Sequence, residues 1–194
     1  MAVNKIKFVS GYNKKTHEDF YLFHLLHKST FIYILPIISL ILLCMVLTEQ
    51  TKDNQTLYII FIVFGILFLP FYLFYTIKSN VRKDKDKREG LIETVEITKE
   101  KIVRSNEKNG EATGKETISW YQILTIYEVS KYFYVYITNE NGFVLNKDSI
   151  EEGTIEQFRN YCEKYLKHNN KGKIPFIQNR KVKRAIKNVN TKGL

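Results

Sequence analysis

The chain has 194 residues, enough for one or two small domains, and a formal net charge of +10 at neutral pH. Its two cysteines, Cys44 and Cys162, are far apart in the sequence, which excludes a disulfide framework. Mean hydropathy is slightly negative, at −0.24. Apolar residues are nevertheless concentrated in residues 31–77, with charged residues almost entirely outside that stretch. Membrane segments must therefore be sought window by window.

The positive charge lies beside the apolar stretch and near the C-terminus. Residues 78–89 carry six basic and three acidic residues, and residues 171–194 carry eight basic residues and no acidic ones. Residues 91–170, by contrast, carry ten basic and thirteen acidic residues. A nucleic-acid-binding domain would carry its basic excess on the folded part. This distribution favours a membrane protein, and we predict no nucleic-acid partner.

Residues 1–30 are predicted to form a cytoplasmic N-terminal segment with a short amphipathic helix. Thr16 is predicted to cap this helix, because acidic residues follow in what would be its first turn. The histidines at 17, 24 and 27 have no carboxylate or cysteine one turn away that would complete a tetrahedral zinc site. No metal site is therefore predicted.

Two uncharged runs, residues 31–47 and 57–77, have 17 and 21 residues. A membrane-spanning helix needs about 20 apolar residues. The loop between the runs has a net charge of −1, whereas both outer flanks are positive. The positive-inside rule then predicts a transmembrane hairpin, residues 31–77, in the cell membrane, with both termini cytoplasmic.

A charged connector, residues 78–90, leads to a predicted cytoplasmic domain at residues 91–170. Alternating apolar residues and the Asn141-Gly142 hairpin signal predict antiparallel strands. Thr154 and Gln157 match a capping box, which predicts a helix that ends near Lys167. The expected fold class is therefore an α+β membrane protein: a two-helix hairpin, then a small antiparallel β domain of the pleckstrin-homology-like (PH-like) plan, closed by one C-terminal helix.

Five stretches carry a resemblance to a known family. They are residues 16–27 ahead of the apolar runs, residues 118–123 around Trp120, the aromatic strand at 132–136, Lys147 after the hairpin, and residues 156–159. Together, over residues 15–168, they resemble the YcxB-like family. The resemblance implies a membrane protein with a C-terminal cytoplasmic domain.

The sequence contains no catalytic signature. It has no G-x-S-x-G elbow, no H-E-x-x-H, no phosphate-binding glycine loop and no C-x-x-C. We therefore predict no enzyme activity, no catalytic residue and no cofactor. A patch for a membrane or cytoplasmic protein partner is expected from aromatic residues, because tyrosine is favoured at interfaces: Trp120, Tyr132, Tyr134 and Tyr136.

Residues 171–194 form a polybasic tail, and they suggest attraction to anionic lipid headgroups, through Arg180, Lys181, Lys183 and Arg184 above all. Each basic residue near an anionic leaflet contributes about 1 kcal/mol. A disordered tail whose charge only reinforces the orientation is the alternative.

Two functions are therefore expected from different classes. The first is a membrane-anchored binding or regulatory module that recognises a protein partner or lipid headgroups. The second is a small transport or pore-forming subunit built by homo-oligomerisation of the hairpin. The second ranks lower, because the runs contain no ionisable group of the kind that marks an ion path.

Overall fold

The computed structural model describes residues 5–29, 31–47, 55–169 and 172–184. The chain divides into two compact units, one of residues 17–87 and the other of residues 1–16 with 88–194. The first unit is helical. The second contains all nine strands of the described residues and one further α-helix.

Three helices follow one another in the helical unit: α1 (Lys14–Lys28), α2 (Phe31–Leu47) and α3 (Gln55–Arg88). Helix α1 begins earlier than predicted, and its cap is Asn13 rather than Thr16. The Asn13 side-chain oxygen accepts a hydrogen bond from the Thr16 backbone N–H at 3.2 Å. An asparagine oxygen at this position satisfies one of the unpaired N–H groups of the first turn.

Helix α3 is the one helix of the described residues that is by itself long and apolar enough to cross a membrane. Helices α1 and α2, taken together as a bent pair, pass the same test. Helix α3 also continues through residues 78–88, which were predicted as a connector. Its 34 residues correspond to about 51 Å at 1.5 Å per residue, more than the roughly 30 Å hydrocarbon core of a bilayer.

A five-stranded antiparallel sheet begins with a strand that the sequence analysis did not predict. Strand β1 (Ile6–Gly11) pairs with β2 (Leu91–Ile97), and β3 (Lys101–Lys108) and β4 (Glu111–Ser119) follow. On its other side β1 pairs with β8 (Ile150–Glu152). The N-terminal residues therefore contribute a central strand to the C-terminal domain.

The second sheet has four strands in the order β7-β6-β5-β9. Strands β5 (Thr125–Glu128), β6 (Tyr132–Tyr136) and β7 (Gly142–Asn146) are antiparallel, and the turn at Asn141-Gly142 lies where it was predicted. Strand β9 (Phe176–Gln178) pairs in parallel with β5. Residues 172–184 of the predicted tail are thus partly built into the sheet, whereas residues 171 and 185–194 lie outside the described residues.

Helix α4 (Ile155–Tyr165) closes the core between the sheets, as expected for an α+β domain. Its cap is the predicted one, because the Thr154 side chain accepts a hydrogen bond from the Gln157 backbone N–H at 3.1 Å. Phe158 is fully buried and lies edge-on to Phe8 of the first sheet and Phe133 of the second, with ring centroids 6.0 and 4.7 Å apart. One helix side chain therefore joins both sheets.

Truncation of Phe8 tests the contribution of β1 to the domain. Phe8→Ala removes a side chain that is 1 % exposed, so the expected loss in free energy of unfolding is about 3–5 kcal/mol. Chemical unfolding of the full chain in detergent, followed by Trp120 fluorescence, measures it. Lys7→Ala on the same strand is the matched control, because Lys7 makes only a surface ion pair with Glu151, and it should have little effect. Equal effects of the two variants would show that β1 is not part of the core.

Candidate functional site

The most unusual side chain of the described residues is Glu128, which is fully buried, at 0 % exposure. It ends β5, where side chains alternate between the two faces of the sheet. Glu128 is therefore in phase with Ile126, whose side chain is in the core cluster. A carboxylate in this position requires charged partners, because burying an unpaired charge costs far more than any single packing contact provides.

Those partners come from three other parts of the chain. Lys147 Nζ, from the turn after β7, donates to Glu128 Oε1 at 2.7 Å. Arg159 on α4 donates from Nε to both carboxylate oxygens at 3.1 Å and from Nη2 to Oε1 at 2.7 Å. Gln178 on β9 donates from Nε2 to Oε2 at 2.9 Å. We call Glu128, Lys147, Arg159 and Gln178 the Glu128 cluster.

The cluster fixes the charge state of the carboxylate. Burial raises the pKa of Glu128, but the hydrogen bonds from Arg159, Lys147 and Gln178 outweigh burial and leave the pKa below its ordinary value. For Lys147 burial is the larger effect, and its pKa is lowered despite the bond to Glu128. The lowered pKa keeps the Glu128 carboxylate ionised at neutral pH, beside Arg159 and Lys147.

The strand directions bring basic residues to the same end of the four-stranded sheet. Strands β5, β7 and β9 end at this end of the sheet, at Glu128, Asn146 and Gln178, and strand β6 begins there, at Tyr132. The segments that meet there are residues 128–132, 146–149 and 178–184, which we call the basic end. Two acidic residues, Glu128 and Asp148, lie in these segments with six basic ones: Lys131, Lys147, Arg180, Lys181, Lys183 and Arg184.

The four basic residues predicted to meet lipid headgroups are exposed on a helical segment, residues 180–184. Asn179 begins this segment: its side chain accepts from the Val182 backbone N–H at 2.9 Å, and its own N–H donates to the Glu128 carbonyl at 3.0 Å. Val182 is buried, at 6 % exposure. These residues are therefore attached to the domain beside the Glu128 cluster.

The structure does not bring the four residues of the predicted partner patch together. Trp120 is in the core cluster, where its ring contacts Tyr161 and Tyr165, with centroids 6.5 and 5.9 Å apart. Tyr132, Tyr134 and Tyr136 lie on the opposite face of β6 from the core residues Phe133 and Val135. All four are less than a tenth exposed. Alternation along one strand predicted the shared face of the tyrosines, but it could not reveal that this face is covered.

In the helical unit, His17 is part of a small polar cluster between α1 and α3. His17 Nδ1 lies 2.9 Å from Asp84 Oδ2, and the Tyr21 hydroxyl donates to the same oxygen at 2.8 Å. The described residues contain no group of three or more histidine, cysteine or acidic side chains that could hold a metal ion. The contacts of His17 instead connect the first and last helices of this unit.

Sequence reasoning missed Glu128 and the roles of Lys147 and Arg159. The signal for Glu128 was present, because a glutamate in phase with Ile126 on a strand of aromatic and β-branched residues must be paired. Lys147 and Arg159 both lie in the stretches that carried the family resemblance. Their common partner was not visible in the sequence, because it is 19 residues from one and 31 from the other.

Comparison with known protein families gives a match in the C-terminal part of the chain. Residues 98–162, about a third of the chain, match the family model described as YcxB-like protein. This agrees with the resemblance in the C-terminal part of the chain, and the matched segment contains Glu128, Lys147 and Arg159. No curated protein and no solved structure matches the chain significantly.

Replacing the buried carboxylate tests the cluster. Glu128→Gln keeps the shape but leaves Lys147 and Arg159 without their counter-charge, and we expect a loss of about 3 kcal/mol in the free energy of unfolding at pH 7. Because the folded-state pKa of Glu128 is lowered, its contribution is complete above the ordinary value of 4.5 and is lost as the pH falls through the folded-state value. Unfolding of both proteins between pH 7 and pH 3 measures the difference.

Glu116→Gln is the control for this experiment. Glu116 is a half-exposed carboxylate that pairs with Arg104 at 2.9 Å. Its replacement should cost less than about 1 kcal/mol, because exposed ion pairs contribute little. A Glu128→Gln protein as stable as the control, at every pH, would contradict the proposed stabilisation.

Proposed function

We propose that the chain, with its YcxB-like region at residues 98–162, is a membrane-anchored binding module whose domain recognises anionic lipid headgroups through the basic end. In this proposal the helices locate the domain at the inner leaflet of the cell membrane. The observation that carries the proposal is the convergence of six basic residues at one end of the four-stranded sheet.

The surface of α3 supports anchoring in a bilayer. Its apolar side chains are exposed rather than packed in a core, as in Ile60, Leu67 and Phe71, which are 62 %, 63 % and 68 % exposed. An exposed apolar surface of this extent is unfavourable in water and matches a lipid environment. Only 11 % of the most apolar 18-residue stretch of α3 is buried.

The register of β1 and β2 supports a hairpin rather than a single crossing. Gly11 pairs with Ile92 and Ile6 with Ile97, so the residues that flank the helical unit belong to one sheet. A sheet lies on one side of a membrane, and the chain between its strands must therefore cross an even number of times. If α3 is one crossing, residues 31–47 supply the second. The positive flanks then favour a cytoplasmic domain and cytoplasmic termini.

The fold of the domain supports a binding role. The domain has two sheets of mostly antiparallel strands and a helix that fills the space between them, and a PH-like plan is part of this proposal. The core and the Glu128 cluster hold the basic end in a fixed arrangement. A fixed basic surface binds an anionic leaflet at a smaller entropic cost than a flexible tail. Attraction of about 1 kcal/mol per basic residue would keep the domain at the membrane surface.

A quenching experiment with the full chain tests headgroup binding. A fluorophore is attached to a cysteine introduced at the exposed Ser130, in a Cys44→Ala background; Cys162 is fully buried, and burial raises the pKa of its thiol. In nanodiscs with nitroxide-labelled headgroups, quenching should be stronger with anionic than with zwitterionic lipid. It should weaken as salt shortens the Debye length from about 10 Å at 0.1 M to about 3 Å at 1 M.

Replacement of four basic residues, Arg180, Lys181, Lys183 and Arg184, by glutamine should weaken the lipid interaction by up to about 4 kcal/mol. The matched control removes the same charge from the β2–β3 and β3–β4 hairpins, through Lys99, Lys101, Lys108 and Lys115, all exposed. This control should leave quenching nearly unchanged. Equal quenching in neutral and anionic discs would contradict the proposal, and recovery of one defined protein by crosslinking in native membranes would favour a protein partner instead.

A further inference from the structure

Lys147 and Arg159 have hydrogen-bond donors that the Glu128 cluster does not use. Lys147 Nζ carries three N–H groups, and its bonds to Glu128 Oε1 and to the Val129 carbonyl, at 2.7 and 2.8 Å, account for two. Arg159 bonds to Glu128 through Nε and Nη2, and its Nη1 has no hydrogen-bond partner among the described residues. The Lys147 and Arg159 side chains are 13 % and 24 % exposed, so both are partly accessible to solvent.

The charges in the cluster do not cancel. One carboxylate faces two cations, which leaves a net charge of +1 in a site that is mostly closed to water. A partly buried excess charge is costly in the absence of a counter-ion. The excess therefore indicates a place for an anion.

The position of the cluster connects it with the basic end. The Lys147 backbone N–H donates to the Lys131 carbonyl at 2.9 Å, and the Asn179 N–H donates to the Glu128 carbonyl at 3.0 Å. Lys131 therefore lies beside Lys147, and the exposed segment at 180–184 begins beside Glu128. An anion at Lys147 and Arg159 would lie within the surface that we propose to face the leaflet.

We propose that Lys147 and Arg159, which are held beside each other by Glu128, form a subsite for a phosphate monoester. This subsite rests on the proposed function and names the ligand class of the basic end. The guanidinium of Arg159 offers a planar set of donors that suits a phosphate group, and the Lys147 ammonium adds a point charge. A monoester has three unesterified oxygens and up to two negative charges at neutral pH, so it accepts more hydrogen bonds from these donors and is attracted to them more strongly than a diester. Glu128 holds the two cations beside each other, and its own negative charge limits their affinity for the anion.

Titration of the full chain in detergent micelles with inorganic phosphate tests the subsite directly. The Arg159 Nε–H resonance should shift in a saturable way, and chloride at the same ionic strength should not reproduce the shift. Glu128→Gln raises the net charge of the site from +1 to +2 and should tighten phosphate binding by roughly fivefold or more. An unchanged phosphate affinity in this variant would show that the anion does not lie beside the Glu128 carboxylate, and it would overturn the subsite.

Arg159→Lys keeps the positive charge of the site but loses the planar donors of the guanidinium, so phosphate binding should weaken severalfold. In this variant the titration is followed at the resonances of the Lys147 side chain. This variant also covers the case in which Glu128→Gln does not fold. Lys108→Gln, on an exposed hairpin residue, is the control and should leave phosphate binding unchanged. Absence of a saturable shift, or equal binding by the wild type and Arg159→Lys, would overturn the subsite.

Nanodiscs distinguish the two sources of a phosphate monoester. The quenching at residue 130 is compared between discs containing phosphatidic acid, whose headgroup is a monoester, and phosphatidylserine discs of matched surface charge. If phosphate binds in the micelle titration, stronger quenching in phosphatidic acid discs than in phosphatidylserine discs assigns the subsite to a lipid headgroup. Equal quenching in the two kinds of disc then assigns the subsite to a soluble phosphate. Salt-sensitive quenching by both lipids, without phosphate binding in micelles, would overturn the subsite and leave the proposed function standing.

Discussion

Neutralisation of one buried carboxylate is the constraint on which the C-terminal domain depends. Glu128 has no contact with water, and the free energy of burying it is offset only when its charged and polar partners are all in place. The partners lie 19, 31 and 50 residues further along the chain, on the turn after β7, on α4 and on β9. Satisfying one side chain therefore fixes three separate segments against the sheet. Loss of any one of them leaves a buried charge incompletely paired.

The parts of the fold that could be predicted are those with local signals. The turn at Asn141-Gly142 needs only its own two residues, and the cap at Thr154 needs only the next three. The apolar length of α3 and the face of α4 are likewise periodic patterns within one segment. Strands β1 and β9 were missed because their partner strands are distant in sequence. A six-residue strand that pairs with residues 92–97 leaves no local trace of that pairing.

The candidate site shows the same division. Positive charge near the C-terminus was visible by counting, and four of its residues are exposed as a lipid-binding segment requires. The attachment of that segment to the domain was not visible, because it depends on Gln178 and Asn179 reaching Glu128. The burial of the four aromatic residues predicted as a partner patch was not visible in the sequence for a related reason. Alternation gives the side of a strand on which a residue lies, whereas burial depends on what covers that side, and Trp120 and Tyr134 are both covered.

The pairing of β1 with β2 also determines an order of events during synthesis. Residues 12–90 separate the two strands, so β1 leaves the ribosome well before its partner exists. At about 5–20 residues per second, these roughly 80 residues take about 4–16 s. Throughout that interval Ile6 and Phe8, which become fully buried, have no sheet to join. Synthesis of the helical unit therefore precedes closure of the domain, and a chaperone that shields a short apolar N-terminal strand would increase the yield of folded protein.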